Sequence, residues 1–203
     1  MNFETGGRAR GFKSPECNSH LMKEILRQFS HLAFGVAAAA AILILDRQLS
    51  LYLFSLVLFV GFVILDIFSR GYSPPVLGTI MKWVERSGDI PAKGALAYVV
   101  SIVICLVFFP TVFVAVAVLA LGVYDSVSTV IGVRYGRNRI YKNKTLEGTG
   151  VAIIVTTLVL LLLIVPLFAV IITAATAVIE LFSPIDDNLS IPIVLCLLLV
   201  VLV

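Results

Sequence analysis

The sequence predicts an all-α integral membrane protein of about seven transmembrane helices, with one long polar loop at the cytoplasmic face. Three observations carry that prediction. Hydrophobic residues make up 60% of the 203 positions and charged residues only 13%, against roughly 45–50% and about 25% in soluble domains. The apolar residues fall into seven segments, near 31–45, 50–68, 94–109, 111–124, 150–165, 166–182 and 190–203. Between the fourth and fifth lies a polar island, 125–148, which reads DSVSTVIGVRYGRNRIYKNKTLEG.

Taken in order, residues 1–29 read as a cytoplasmic N-terminal segment and 30–203 as a single transmembrane domain. The first twenty residues are polar and lack an apolar core, so no cleavable signal peptide is expected. From about His20 to His31, the residues Leu21, Ile25, Leu26 and Phe29 recur at helical spacing. That stretch reads equally as an interfacial helix or as a plain extension of the first span. Pro110 and Pro166 fall where tight turns between spans are needed, because proline ends or bends a helix. The apolar run 150–182 is too long for one span and must divide or kink. Cys17, Cys105 and Cys196 have neither metal nor redox spacing, and Cys105 and Cys196 read as small lipid-region or core residues. Gly122 and the alanines of 37–41 offer close helix packing, within one chain or between two. The oligomeric state stays open.

Charge sets the orientation. Arg8, Arg10, Lys13, Lys23 and Arg27 precede the first span. Arg70, Lys82, Arg86 and Lys93 separate the second from the third, and Arg134, Arg137, Arg139, Lys142 and Lys144 the fourth from the fifth. With seven alternating spans, these fourteen of the fifteen Lys and Arg residues share one side, and Arg47 alone is opposite. Cytoplasmic loops carry the excess of Lys and Arg. The N-terminus and the island are therefore expected in the cytoplasm, and the C-terminus across the membrane. The sequons at Asn143 and Asn188 are read as coincidences on this topology.

Ionisable residues at the ends of spans require a partner or a task. His31, Asp66, Asp125 and Glu180 all map to cytoplasmic ends, as several helices around one site would place them. Asp66 has a purely local alternative, because Arg70 lies four residues on. In the island, Gly132 and Gly136 flank Arg134, with Arg137 and Arg139 beyond; close backbone approach to an anion is the reading preferred over helix packing. The segment KTLEGT supplies Lys144 to neutralise phosphate oxygens, Glu147 to orient metal or water, and Thr149 to cap the next helix. Amides at that helix start would favour a phosphate. Asp186, Asp187 and Asn188 form an oxygen-rich turn that suits Mg²⁺, though such a turn also arises for local reasons.

Together these motifs resemble the CTP-dependent lipid kinases, the family of dolichol or polyprenol kinase, CTP-dependent diacylglycerol kinase and phytol kinase. EILRQFSHLAFG from Glu24 resembles that family's basic residue, His and Gly pattern, although Gln28 follows Arg27 where the family often has Lys after Arg. DSVSTVIGVRYG from Asp125 is similar to its Asp and paired-glycine element. KTLEGT from Lys144 fits its Lys-(Ser/Thr)-x-Glu-Gly-(Ser/Thr) element, and Glu180 followed by DNLSIP from Asp187 resembles its ending. The extra N-terminal spans of the larger eukaryotic dolichol kinases are missing.

The resemblance implies transfer of the γ-phosphoryl of CTP to the hydroxyl of a membrane lipid alcohol. Polyprenol or dolichol is the favoured acceptor, with diacylglycerol and a phytol-like alcohol as alternatives. It further implies Asp125 and Asp187, supported by Asn188, as Mg²⁺ ligands. Lys144 and the backbone of 132–136 would hold phosphates, with Thr145, Gly148 and Thr149 beside them and Arg137, Arg139 and Arg70 as further anion contacts. Glu147 would be a ligand or its support, and His31 or Glu180 would take the alcohol proton. A cytidylyltransferase is disfavoured, because its basic-Lys-Asp signature and Asp-rich motif are missing. A small transporter or a scaffold is the alternative from another class. No nucleic-acid partner is expected.

Overall fold

The computed structural model describes residues 15–70, 93–141 and 144–203, with side chains from Met22 onward. Six of the basic residues used for orientation (Arg8, Arg10, Lys13, Lys82, Arg86 and Lys142) lie outside the described residues, as do Asn143 and the first fourteen positions. Nothing is therefore described of the side chains of Cys17, His20 and Leu21.

Seven helices follow one another among the described residues: α1 Pro15–Ile44, α2 Arg47–Ser69, α3 Lys93–Phe108, α4 Thr111–Tyr135, α5 Leu146–Leu160, α6 Pro166–Phe182 and α7 Asp187–Leu202. Each of the seven apolar segments became a helix. Three are long and apolar enough to cross a membrane, over Met22–Ile44, Arg47–Ser69 and Thr111–Tyr135. The other four are apolar but only 15 to 17 residues long. The stretch from His20 to His31 is continuous with the first span, as the plainer of its two readings expects.

Local chemistry explains the boundaries. Asp46 caps α2 by accepting a 2.8 Å hydrogen bond from the Leu49 amide. Pro110 is the N-cap of α4, and Pro166 opens α6 at a position where its missing N–H costs nothing. The run 150–182 accordingly divides into α5 and α6 around a short turn.

α4 is the central helix. Almost every residue from Val114 to Tyr124 is buried, and α1, α5, α6 and α7 pack around it. α1 crosses it at two glycines, where a Cβ on Gly35 would lie 3.0 Å from the Gly122 Cα. Small residues allow backbones to approach this closely. Gly122 thus packs within the chain. Tyr98 from α3 locks the crossing, donating a 2.6 Å hydrogen bond to the Val118 carbonyl. Cys105 on α3 and Cys196 on α7 are fully buried core residues, as expected. α2 is peripheral, with only Ser50 and Phe54 buried.

Arg47 also gains a structural reason. Its Nε donates 2.9 Å to the Leu106 carbonyl, and its Nη2 donates 2.5 Å to that of Val107. These carbonyls end α3, where no intrahelical donor remains. Arg47, the cation expected opposite the others, thus caps a helix end.

Candidate functional site

One end of the bundle collects polar side chains from four elements. Lys144, in the loop before α5, places its Nζ 2.5 Å from Glu180 Oε1 on α6 and 3.5 Å from Asp125 Oδ1 on α4. His31 on α1 brings Nε2 to 3.8 Å from Asp125 Oδ2, its ring 5.0 Å from that of Tyr98. Ser128 donates 3.1 Å to Glu180 Oε1, and Thr129 donates 3.4 Å to Asp125 Oδ1. Four residues expected from the sequence, His31, Asp125, Lys144 and Glu180, therefore meet in space.

The cluster is only partly open. Glu180 is 1% exposed at its side chain, Lys144 22% and Asp125 28%. Among the described residues, Glu180 Oε2 and His31 Nε2 are buried with no hydrogen-bond partner. Burial alone would lower the pKa of the Lys144 ammonium. The carboxylates of Asp125 and Glu180, with the field of Asp187, outweigh it and hold that pKa above the ordinary lysine value. Asp187 at the head of α7 is thereby brought into the electrostatics of the site.

Lys144 is positioned by its own loop. The Ile140 amide donates 3.0 Å to the Lys144 carbonyl, and the Lys144 amide 3.0 Å to that of Tyr141. Arg139 and Thr145 form an isolated antiparallel bridge. Glu147 ties the loop from below: its carboxylate accepts from the amides of Arg137 at 3.1 Å and Asn138 at 3.2 Å. Hydrogen bonds from its own amide first, then from Arg137 and Asn138, hold the Glu147 carboxyl below the usual glutamate range. Glu147 fastens the loop through the Arg137 and Asn138 amides.

Several expectations are revised by this geometry. Thr145, not Thr149, caps α5, accepting 3.2 Å from the Gly148 amide. Thr149 sits in the first turn with its amide bonded to the Thr145 carbonyl, and the Leu146 amide bonds to that of Asn138. At the helix start the amides of Leu146, Gly148 and Thr149 are thus bonded within the chain. The glycines are seats for the adjoining helix. A Cβ on Gly132 would meet Thr145 Oγ1 at 3.0 Å, one on Gly136 would strike the Gly132 carbonyl and Thr145, and one on Gly148 the Ser128 carbonyl. Close packing of α4 against the start of α5 is therefore one task of Gly132 and Gly136.

Other predicted residues stay apart. Arg70 pairs with Asp66 at 2.9 Å, both exposed, as the local alternative expected. Arg137 and Arg139 are exposed on the loop. Asp186 caps α7 by accepting from the Asn188 amide at 3.1 Å. The Asn188 side chain lies against Gly94 of α3. Ser128 and Gln28 received no role from sequence, although their spacing from Asp125 and His31, three residues, is that of neighbours on one helix face.

A magnesium ion was implied for Asp125, Asp187 and Asn188. Among the described residues, no group of three His, Cys, Asp or Glu side chains gathers as a metal cage built by protein alone would require. Mg²⁺ is commonly held by one or two carboxylates together with phosphate oxygens and water. Asp125, partly exposed, is suited to that arrangement.

No family model matches the chain, and no solved structure matches it. It is similar to "Uncharacterized protein MJ1137" of Methanocaldococcus jannaschii, with 31% identity over 185 residues that cover 88% of this chain and 93% of that protein. The chain belongs to the family of MJ1137.

Proposed function

We propose that the protein is an integral membrane phosphotransferase with about seven spans, using CTP to phosphorylate the hydroxyl of a lipid alcohol, polyprenol or dolichol first among the candidates. The observation that carries this reading is the meeting of His31, Asp125, Lys144 and Glu180 at one end of an apolar helical bundle. The sequence motifs around these four residues are those that resemble the CTP-dependent lipid kinases. On the charge pattern, this end and the N-terminus face the cytoplasm and the C-terminus lies across the membrane.

Phosphoryl transfer depends on charge neutralisation and alignment. Lys144 leaves its two carboxylates to contact the phosphates, and the exposed Arg137 and Arg139 add positive field. Asp125 would hold Mg²⁺, with Asp187 and Asn188 as the further ligands the motifs suggest, and the ion would neutralise phosphate charge. The alcohol oxygen bonds to the γ-phosphorus as the bond to the β-phosphate oxygen breaks, releasing CDP. His31 takes the alcohol proton, because its Nε2 is unbonded and the Asp125 carboxylate stabilises the imidazolium that forms. Glu180, already held by Lys144 and Ser128, sets the resting position of Lys144. Transfer of label from γ-labelled CTP to a lipid alcohol tests the reading, and pyrophosphate release with a CDP-lipid would redirect it to cytidylyl transfer. A diacylglycerol or phytol-like acceptor would keep the same chemistry.

A further inference from the structure

Arginines and exposed aromatic side chains interleave where α4 runs into the loop that carries Lys144. The depth of that stretch in a bilayer follows from the two ends of α2. Arg47 opens α2 and caps the end of α3, and the exposed Asp66–Arg70 pair closes it. From Arg47 to Asp66 the helix rises roughly 29 Å at about 1.5 Å per residue, close to the ~30 Å of a bilayer core. α4 starts at Thr111, beside the same end of α3. Counted in the same way, α4 leaves the core at about position 131. Val133, Arg134 and Tyr135 then fall at headgroup depth.

At that depth the surface is apolar and cationic together. Val133, Tyr135, Ile140, Tyr141 and Phe182 are all exposed, Phe182 to 70%. Tyr141 stacks on Phe182 with ring centroids 6.1 Å apart, which ties the loop to the end of α6. Arg134 lies over the Tyr135 ring, and Arg137 and Arg139 stand exposed on the loop. Among the described residues none of these three arginines forms an ion pair. The Glu147 carboxylate beside them is taken by the amides of Arg137 and Asn138. Exposed rings are costly in water and unpaired guanidinium groups are costly in hydrocarbon; the headgroup layer suits both. An anionic layer also answers the positive charge, which a zwitterionic one does not.

We propose that the end of α4, the loop 136–141 and Phe182 form a binding surface for anionic phospholipid. Arg134 and Arg139 contact lipid phosphates, and the rings of Tyr135, Tyr141 and Phe182 rest among the uppermost acyl carbons. The Lys144 amide donates 3.0 Å to the Tyr141 carbonyl, so the segment that meets the lipid is bonded to the residue at the centre of the candidate site. A bound anionic lipid thereby steadies the loop that presents Lys144. The inference rests on the membrane-spanning reading of the helices and not on phosphoryl transfer.

The test uses the full chain in nanodiscs without nucleotide. Trp83→Phe removes the single tryptophan, and Tyr141→Trp places a fluorescent reporter in the stack. Phosphatidylglycerol and phosphatidylcholine, each brominated high in the acyl chain, are compared as quenchers at equal fractions in phosphatidylcholine. The brominated phosphatidylglycerol is expected to associate about fivefold more strongly, the preference that one or two cations confer at an anionic surface. High salt should remove that preference, because exposed charges are screened. Arg134→Gln/Arg139→Gln should bring the two lipids level while brominated phosphatidylcholine still quenches, which shows the loop still seated in the bilayer. Equal quenching by both lipids before those substitutions, quenching by neither, or a preference that survives them would overturn the lipid contact. A chain that does not enter nanodiscs would remove the membrane reading and this surface together. The expected quenching without phosphate transfer from CTP would leave the surface standing and remove only the kinase.

Discussion

Lys144 Nζ lies 2.5 Å from Glu180 Oε1, joining the loop before α5 to the C-terminal end of α6. The glutamate is almost wholly enclosed and the lysine is partly open. Removing the lysine therefore strands a buried charge. Lys144→Met is expected to lower stability by about 3 kcal/mol, and the double variant Lys144→Met/Glu180→Gln to recover much of that loss. A double-mutant cycle by thermal unfolding in detergent reads the coupling. Additive losses would mean that the pair contributes nothing.

The two loop groups titrate at opposite edges of the pH scale. The Lys144 pKa is raised above 10.5, so its contribution is complete below that value and is lost only as pH rises through the higher folded value. The Glu147 pKa is lowered from 4.5, so its contribution is present above 4.5 and is lost as pH falls through the folded value. Amide exchange at Arg137 and Asn138 should therefore stay slow across neutral pH and accelerate in acid. Glu147→Gln should make exchange there faster at neutral pH and remove the acid response. An acid response that survives Glu147→Gln would exclude the carboxylate as its cause.

Gly148 and Gly150, two residues apart, should respond with opposite signs. Gly148→Ala forces a methyl against the Ser128 backbone carbonyl, which cannot swing away, and is expected to cost about 2 kcal/mol. Gly150 has nothing within 4 Å of its would-be Cβ, so Gly150→Ala should stabilise by about 0.5 kcal/mol through reduced chain freedom. Melting temperatures of the two variants decide the matter.

What could be read from the chain, and what could not, divides on physical lines. Hydropathy located all seven helices among the described residues, and proline marked the openings of α4 and α6. It ended the fourth segment at residue 124, yet α4 continues to Tyr135. The continuation is polar by composition but not by environment. Ser126 and Ser128 are buried against α1 and Glu180 respectively, so the helix persists after its lipid-like character stops. His31, Asp125 and Glu180 were legible because a charge at a span end demands a reason, and Lys144 because the KTLEGT segment places a cation beside a helix start. Thr145 as the cap and Gly132 as a seat were not, since both roles depend on which helix lies opposite. Gln28 looked like a departure from a motif, and only its burial gives it meaning.

Arg47 offers a test away from the site. Arg47→Ala leaves the Leu106 and Val107 carbonyls without their donor and should cost about 1 kcal/mol. Arg47→Lys, with one point-like ammonium in place of the fork, should restore less than half of it. Unfolding midpoints of the three proteins measure this, and full rescue by lysine would show that charge alone matters.

The central claim is phosphate transfer at the cluster of Asp125 and Lys144. Purified protein with Mg²⁺, a polyprenol or other single-chain alcohol, and γ-labelled CTP or ATP should yield labelled lipid from CTP. Asp125→Ala and Lys144→Ala should each reduce that rate at least a hundredfold while the protein remains folded. Folded wild-type protein that transfers no label from either nucleotide to any lipid alcohol would contradict the account.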